Sequence, residues 1–360
     1  MIRRLAALAL LILAGPAPAA DLARAEAALA ASGFRGVAII GEGDGIAFEK
    51  AVGELRPGEA FTLDAPWRLA SVTKQLTALI VMQEAQAGTI DIDQPVATYW
   101  PDWPSPNRDK ITMRMLLRHA SGLADPSTTR ENAAGVPEFY TRSGAAAGPA
   151  ASAASFCAVA PRATPPAEFH YNNCDFLVLG AILERVTGKS FATLVRERIS
   201  EPLRLGSLGV FPYDAAPAAT VPGFARGGNP EPAYNFGTYG AAGAAYIAPA
   251  ELWAFDRALM ENRLLDRYQT GEMWAGVPEL GYAALGAWAF SVPIKGCPDP
   301  VPIVERRGAI GGVQIRNFLI PARRIAVILF TNRAEFDFGE VWAGSGLSHD
   351  MLAAAACPPA

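Results

Sequence analysis

The sequence predicts an α+β fold: an antiparallel sheet flanked by a helix at each end of the chain, with a mostly helical stretch inserted between its early and late strands. Three observations lead there. Two β-rich runs stand early, at 36–40 and 45–52. Four more stand late, at 284–292, 301–307, 313–320 and 325–331. Helical patterns of apolar residues fill much of what lies between, precede the first strand and follow the last.

A chain of 360 residues with 51% hydrophobic content can bury a large core. Its start reads as a targeting segment. Met1-Ile2-Arg3-Arg4 is basic, Leu5 to Ala14 is apolar but too short to span a bilayer, and Ala17-Pro18-Ala19 is a small-residue cleavage pattern. We therefore expect a signal peptide at 1–19, cleaved after Ala19 or Ala20, and one domain at 20–360. Its α/β part would lie at about 20–70 and 275–360 and its helical part at about 71–274. No Cys follows the apolar run and no later stretch is apolar enough to cross a membrane, so a periplasmic or secreted protein without a stable membrane anchor is expected. The formal charge is -4, and the basic residues are scattered apart from Arg306-Arg307 and Arg323-Arg324, a poor surface for nucleic acid. Three His and no His or Cys pair at ligand spacing give no expectation of a metal or other cofactor. Four Cys in an exported chain can pair in three ways. We favour Cys157–Cys174, bracing the loop before Tyr171, and Cys297–Cys357, tying the C-terminal tail to a late loop.

In order, Asp21 to Ala31 reads as an amphipathic helix stopped by Ser32-Gly33. The glycine cluster 41–45 fails the dinucleotide spacing and has a strand after it, so it reads as a hairpin turn. Gln75 to Ala87 is helical, closed by Gly88. Ile111 to Arg118 is a short helix, and 124–167, rich in Ala, Ser, Gly and Pro, reads as helical pieces and long loops covering a site. Asp175 to Val186 is a helix stopped by Gly188, and Phe191 to Ser200 another that Glu201-Pro202-Leu203 breaks. Pro249 to Met260 has Pro in its first turn, and Val341 to Ala356 reads as a closing helix.

Three constellations carry chemistry. Ser71-Val72-Thr73-Lys74 opens the first long helix. The ammonium of Lys74, one turn on, lowers the cost of deprotonating Ser71, and unpaired N–H groups of the first turn favour an oxyanion. Phe169-His170-Tyr171-Asn172-Asn173 stands just before another helix. A phenol held there by Lys74 can act as base towards Ser71 and acid towards a leaving group, and the Asn173 amide can donate to a substrate carbonyl. Arg307-Gly308-Ala309-Ile310-Gly311-Gly312 leads into a strand, where paired glycines allow close backbone approach. The N–H of Gly312 would then join that of Ser71 in an oxyanion hole.

In this order and spacing, the three resemble the serine β-lactamase-related family, the branch containing class C β-lactamases, D-alanyl-D-alanine carboxypeptidases of that type and related esterases. Arg68 to Lys74 is similar to the family's nucleophile segment, Leu116 to Leu123 to its "LLxHTSGL" stretch, and Phe169 to Gly188 to its Tyr-x-Asn helix; the likeness runs from about Phe34 to Asn332. It implies a β-lactamase/transpeptidase-like fold. It also implies Ser71 as acylated nucleophile, Lys74 and Tyr171 as base system, Asn173, Gly311 and Gly312 as substrate ligands, and a structural His119. One departure stands out. Where the family's third motif has Lys-Thr-Gly or His-x-Gly, the aligned residues are Ala309-Ile310-Gly311. That weakens the case for β-lactam turnover more than for acyl transfer. Arg306 or Arg307 could supply the missing charge, and strand alternation puts only one of them on the site side. A Ser-His-Asp hydrolase lacks its Gly-x-Ser-x-Gly elbow here.

The expected function is an exported serine hydrolase that uses no cofactor and acts through a Ser71 acyl-enzyme on an ester or amide: a D-amino-acid peptide, a small ester or a β-lactam. The rival is a catalytically silent protein of the same fold that binds peptidoglycan fragments.

Overall fold

The structure, a computed structural model, describes residues 20–159 and 161–357; the signal-peptide reading at 1–19 lies outside them. Six strands form the main sheet: β1 (Gly36–Glu42), β2 (Gly45–Val52), β3 (Trp288–Val292), β4 (Val301–Ile310), β5 (Val313–Ile320) and β6 (Ile325–Thr331). They lie in the order β2-β1-β6-β5-β4-β3, and every neighbouring pair is antiparallel. The chain's two ends thus share one sheet. The central strand β6 is buried at all seven positions, which is why it reads as an unbroken apolar run rather than an alternation. The edge strand β2 alternates instead.

Five helices matter most: α1 (Leu22–Ser32), α2 (Thr73–Gln86), α3 (Cys174–Thr187), α4 (Pro249–Met260) and α5 (Leu347–Ala356). On one sheet face α1 and α5 pack together over Ala38, Ile40, Val327 and Leu329. On the other face Val37, Ile39, Ile328 and Phe330 join a larger core with α2, α3 and α4. Alternation along β1 and β6 therefore divides the two cores residue by residue. Helix α2 is buried on nearly every side, which is possible because its polar residues find partners inside.

The 41–45 cluster is the β1–β2 turn, with Gly43 at φ 60°. Both disulfides form as favoured, Cys157–Cys174 and Cys297–Cys357. Two helical readings need correction. The helix from Phe191 is not broken at Pro202: it widens to π geometry over Arg196–Ser200, runs on through Leu203 and stops at Arg204, φ 59°. Pro202 needs no donor there, and the wide turn accommodates its ring. The closing helix starts at Leu347 and not at Val341, because Gly344 (φ 73°) and Gly346 (φ 94°) turn the chain after a single short turn at Val341–Ala343.

The Cys297–Cys357 bridge closes 60 residues of chain and fastens the end of α5. Replacing both cysteines by Ser should lower unfolding free energy by about 2–4 kcal/mol, seen in thermal or denaturant melts; an unchanged midpoint would show that α5 is held by packing alone.

Candidate active site

The reactive centre starts with an unusual backbone. Ala70 has φ 44°, a left-handed conformation for a residue with a side chain, and a tight turn over Ala70–Val72 leads into α2. Ser71 sits in that turn, so its N–H is among those with no carbonyl one turn back. One turn later Lys74 is fully buried. Its ammonium has three donors and meets three acceptors: Ser71 Oγ at 3.2 Å, Asn173 Oδ1 at 2.7 Å and the Ala242 carbonyl at 2.8 Å. None is a carboxylate. Burial, partly offset by Tyr171, brings its pKa down to about 8.

Tyr171 and Asn173 arrive from the start of α3. An Asn at a helix N-cap usually spends its side chain on the helix's own N–H groups. Here Asp125 accepts the Asn173 N–H at 2.6 Å, and Asn172 Oδ1 accepts the Asp175 N–H at 2.9 Å. The Asn173 amide is thereby released from capping; besides accepting from Lys74, it donates to the Tyr140 hydroxyl at 2.8 Å. Its second N–H remains for a ligand. The Tyr171 hydroxyl lies 2.5 Å from Ser71 Oγ. Behind it the His119 ring packs 4.5 Å from the Tyr171 ring, with Nδ1 3.0 Å from Asp175 Oδ2. Burial above all, then the Arg306 and Lys74 charges, hold His119 well below its usual pKa, so it stays neutral.

The residue that sequence reasoning left undecided is Arg306. It is buried, donating from Nε to the Ser71 carbonyl and from Nη2 to the Tyr171 hydroxyl, both at 2.8 Å. Arg307 faces the other way and is tied by both terminal nitrogens to Glu340 at 2.8 and 2.9 Å, and to Glu305. Burial pushes the Tyr171 phenol up, but the two cations and the hydrogen bonds from Lys74 and Ser71 outweigh it, leaving the pKa below the usual 10.0.

Gly311 and Gly312 do not take the expected place. They form the two-residue turn between β4 and β5, Gly311 at φ 58°, and the Gly312 N–H donates to Glu231 Oε2 at 2.9 Å. Glu231 also pairs with Arg68 at 2.7 Å, so it anchors the turn and occupies that N–H. The close approach is made three residues earlier. A side chain on Gly308 would put its Cβ 2.5 Å from the Leu69 carbonyl and 3.1 Å from Ser71 N. Strand β4 pairs with β3 only as far as Glu305, so its later residues have an open edge against the Ser71 turn. Ile310 and Val313 close the hairpin as a hydrogen-bonded pair, and alternation then turns the Ala309 N–H outward to that edge. Arg306, Gly308 and Ala309, not 309–312, are thus the β4 residues against Ser71. Arg306 brings the charge, Gly308 the clearance and Ala309 a backbone donor.

A model of the Beta-lactamase family matches residues 22–347. The chain belongs to that family. It is a serine hydrolase of it, as the sequence resemblance implied, with the family's fold. It is 24% identical over 323 residues to the D-alanyl-D-alanine-carboxypeptidase/endopeptidase AmpH of Escherichia coli, covering 84% of this chain and 80% of that one. It is 30% identical over 187 residues to esterase EstB of Burkholderia gladioli, 48% of this chain and 46% of that one. Among solved structures, a D-stereospecific amidohydrolase from Streptomyces sp. superposes with a TM-score of 0.74 at 25% identity, over 94% of this chain and 100% of that one. Esters and amides are the substrate classes of this company.

Two substitutions test the site's geometry. Gly308→Ala should lower kcat/KM by roughly 10²-fold by forcing β4 off the Ser71 turn; activity within twofold of wild type would remove Gly308 from the site. Arg306→Met takes one cation from Tyr171 and should move the acid limb of the kcat/KM profile upward by on the order of one pH unit. An unmoved limb would show that Arg306 does not govern the titrating group.

Proposed function

We propose that this chain is an exported hydrolase that takes the acyl part of an ester or amide onto Ser71 and returns it to water. The observation that carries the reading is the Tyr171 hydroxyl, 2.5 Å from Ser71 Oγ and bonded by Arg306 at 2.8 Å. As phenolate, Tyr171 accepts the Ser71 proton while Oγ attacks the carbonyl carbon. The oxyanion that forms is met by the N–H groups of Ser71 and Ala309, and Asn173 donates to the substrate. As the tetrahedral species collapses, Tyr171 passes its proton to the departing oxygen or nitrogen. Water then follows the reverse course: Tyr171 takes its proton, hydroxide adds to the acyl carbon, and Ser71 leaves with the proton returned. Lys74 holds Ser71 and keeps Tyr171 acidic.

The charges around the reacting atoms favour some substrates over others. Lys74 and Arg306 bring two cations, and none of their hydrogen-bond partners is a carboxylate. A free α-ammonium beside the scissile bond would meet repulsion. Small esters, and D-amino-acid peptides of peptidoglycan type without such an amine, suit the site better; a β-lactam comes after them. Two disulfides and the pattern of residues 1–19 support export to the periplasm or medium.

Incubation with a fluorophosphonate followed by intact-mass measurement should give one adduct on the wild-type protein and none on Ser71→Ala. Turnover of p-nitrophenyl acetate should fall at least ~10³-fold in Ser71→Ala. A wild-type protein that neither labels nor turns over any ester or D-amino-acid peptide is instead the silent binding protein.

A further inference from the structure

We propose that His119 is a positioning residue for the reaction: its ring, locked by Asp175, holds the Tyr171 phenol against Ser71 while protons move. This rests on the hydrolase reading and goes beyond the structural part that the family resemblance implies for His119.

One residue touches three in a row. The His119 carbonyl accepts the His170 N–H at 2.9 Å, its ring lies 4.5 Å from the Tyr171 ring, and its Nδ1 lies 3.5 Å from the Asn172 nitrogen. An uncommon backbone turn allows this, with His119 left-handed at φ 57°. The ring itself has little freedom. It is buried, with the Phe169 ring edge-on at 5.8 Å and the Phe176 ring at 5.3 Å. Nδ1 lies 3.0 Å from Asp175 Oδ2, and that bond sets the tilt of the ring whichever atom carries the proton. Asp175 is fixed in turn, accepting from Ser121 at Oδ1 and from the Asn172 amide at Oδ2, 2.9 Å away.

Anchoring Asp175 uses one nitrogen, which the amide of an Asn would also supply. The other, Nε2, is buried with no partner among the described residues, and an unpaired buried nitrogen calls for a reason. What the rest of the imidazole does touch is Tyr171. The phenol needs a hold that does not depend on protons. Its oxygen lies 2.5 Å from Ser71 Oγ and accepts from Arg306 at 2.8 Å. The first of these bonds changes as the proton passes to Tyr171 and on to the departing atom. A ring contact is indifferent to that proton and keeps the phenol in place from one transfer to the next. Displacing a reacting group by about 1 Å costs on the order of 10²-fold in rate.

Two substitutions separate this part from a purely structural one. His119→Asn keeps the left-handed turn, which Asn tolerates well, and keeps an N–H for Asp175, but removes the ring. His119→Phe keeps a ring beside Tyr171 and loses the anchor. With p-nitrophenyl acetate, His119→Asn should still melt cooperatively yet lose roughly 10²-fold in kcat, with KM within about twofold. KM holds because Tyr171 serves acylation and deacylation alike, so both slow together. Fluorophosphonate labelling of Ser71 should slow in step, and His119→Phe should keep the higher kcat of the two. A purely structural His119 predicts the reverse order, so a kcat in His119→Asn equal to wild type, or equal to or above His119→Phe, overturns the proposal. A second readout needs no turnover. In protein carrying tyrosine labelled at Cζ, the Tyr171 resonance should be one sharp line in wild type and broadened or doubled in His119→Asn, because the freed phenol leaves Ser71 part of the time. An unchanged line overturns the proposal. A wild-type protein that neither labels nor turns over, with the line altered in His119→Asn, defeats the hydrolase reading and leaves the hold of His119 on Tyr171 standing.

Discussion

Two buried cations converging on one phenol are the constraint on which the rest of the site depends. Lys74 and Arg306 are both out of water, and neither has a carboxylate among its hydrogen-bond partners. Burying a charge without compensation is costly. The group able to relieve that cost is Tyr171, whose ionisation puts a negative charge 2.8 Å from Arg306. Stability and reactivity are joined here: the charge that makes the burial tolerable is the base that the chemistry requires.

The scaffold holds this arrangement from three directions. Helix α2 carries Lys74 inside the core, and the tight turn that leads into it presents Ser71. The start of α3 presents Tyr171 and Asn173, with Asp125 and Asn172 satisfying the helix end so that the Asn173 amide can turn to Lys74. The Cys157–Cys174 bridge fastens the residue next to Asn173 to the covering segment. Strand β4 reaches past the end of β3, and its open edge meets the Ser71 turn at Gly308, where a side chain would meet the Leu69 carbonyl. Glu231 pins the turn beyond and fixes where that edge lies.

Much of this was legible in the residues. Strands β5 and β6 and helix α4 have the limits that periodicity and Pro/Gly punctuation indicate, and the Ser71, Lys74, Tyr171 and Asn173 side chains meet as their motifs suggest. The β4 motif was displaced by three residues. A Gly-Gly pair before a strand looks like a close-approach motif, yet in space it is only a hairpin turn. The lone Gly308 makes the approach, two residues after a buried Arg on the same face. Period-two alternation puts Arg306 and Gly308 together on that face, but says nothing of which face meets α2. Tyr140 gave no signal, since a segment without periodicity supplies no direction for a side chain. Pro202 shows a different limit: a local rule for breaking helices yields when a widened turn removes the conflict.

The ionisation of Tyr171 can be read directly. In protein grown with tyrosine labelled at Cζ, the Tyr171 resonance, assigned by its loss in Tyr171→Phe, is followed by NMR across the pH range. A buried phenolate held by Lys74 and Arg306 predicts titration below the ordinary tyrosine value of about 10, and a rise towards it in Arg306→Met. A Tyr171 that titrates at or above that value in the wild-type protein would contradict the base assigned to this site.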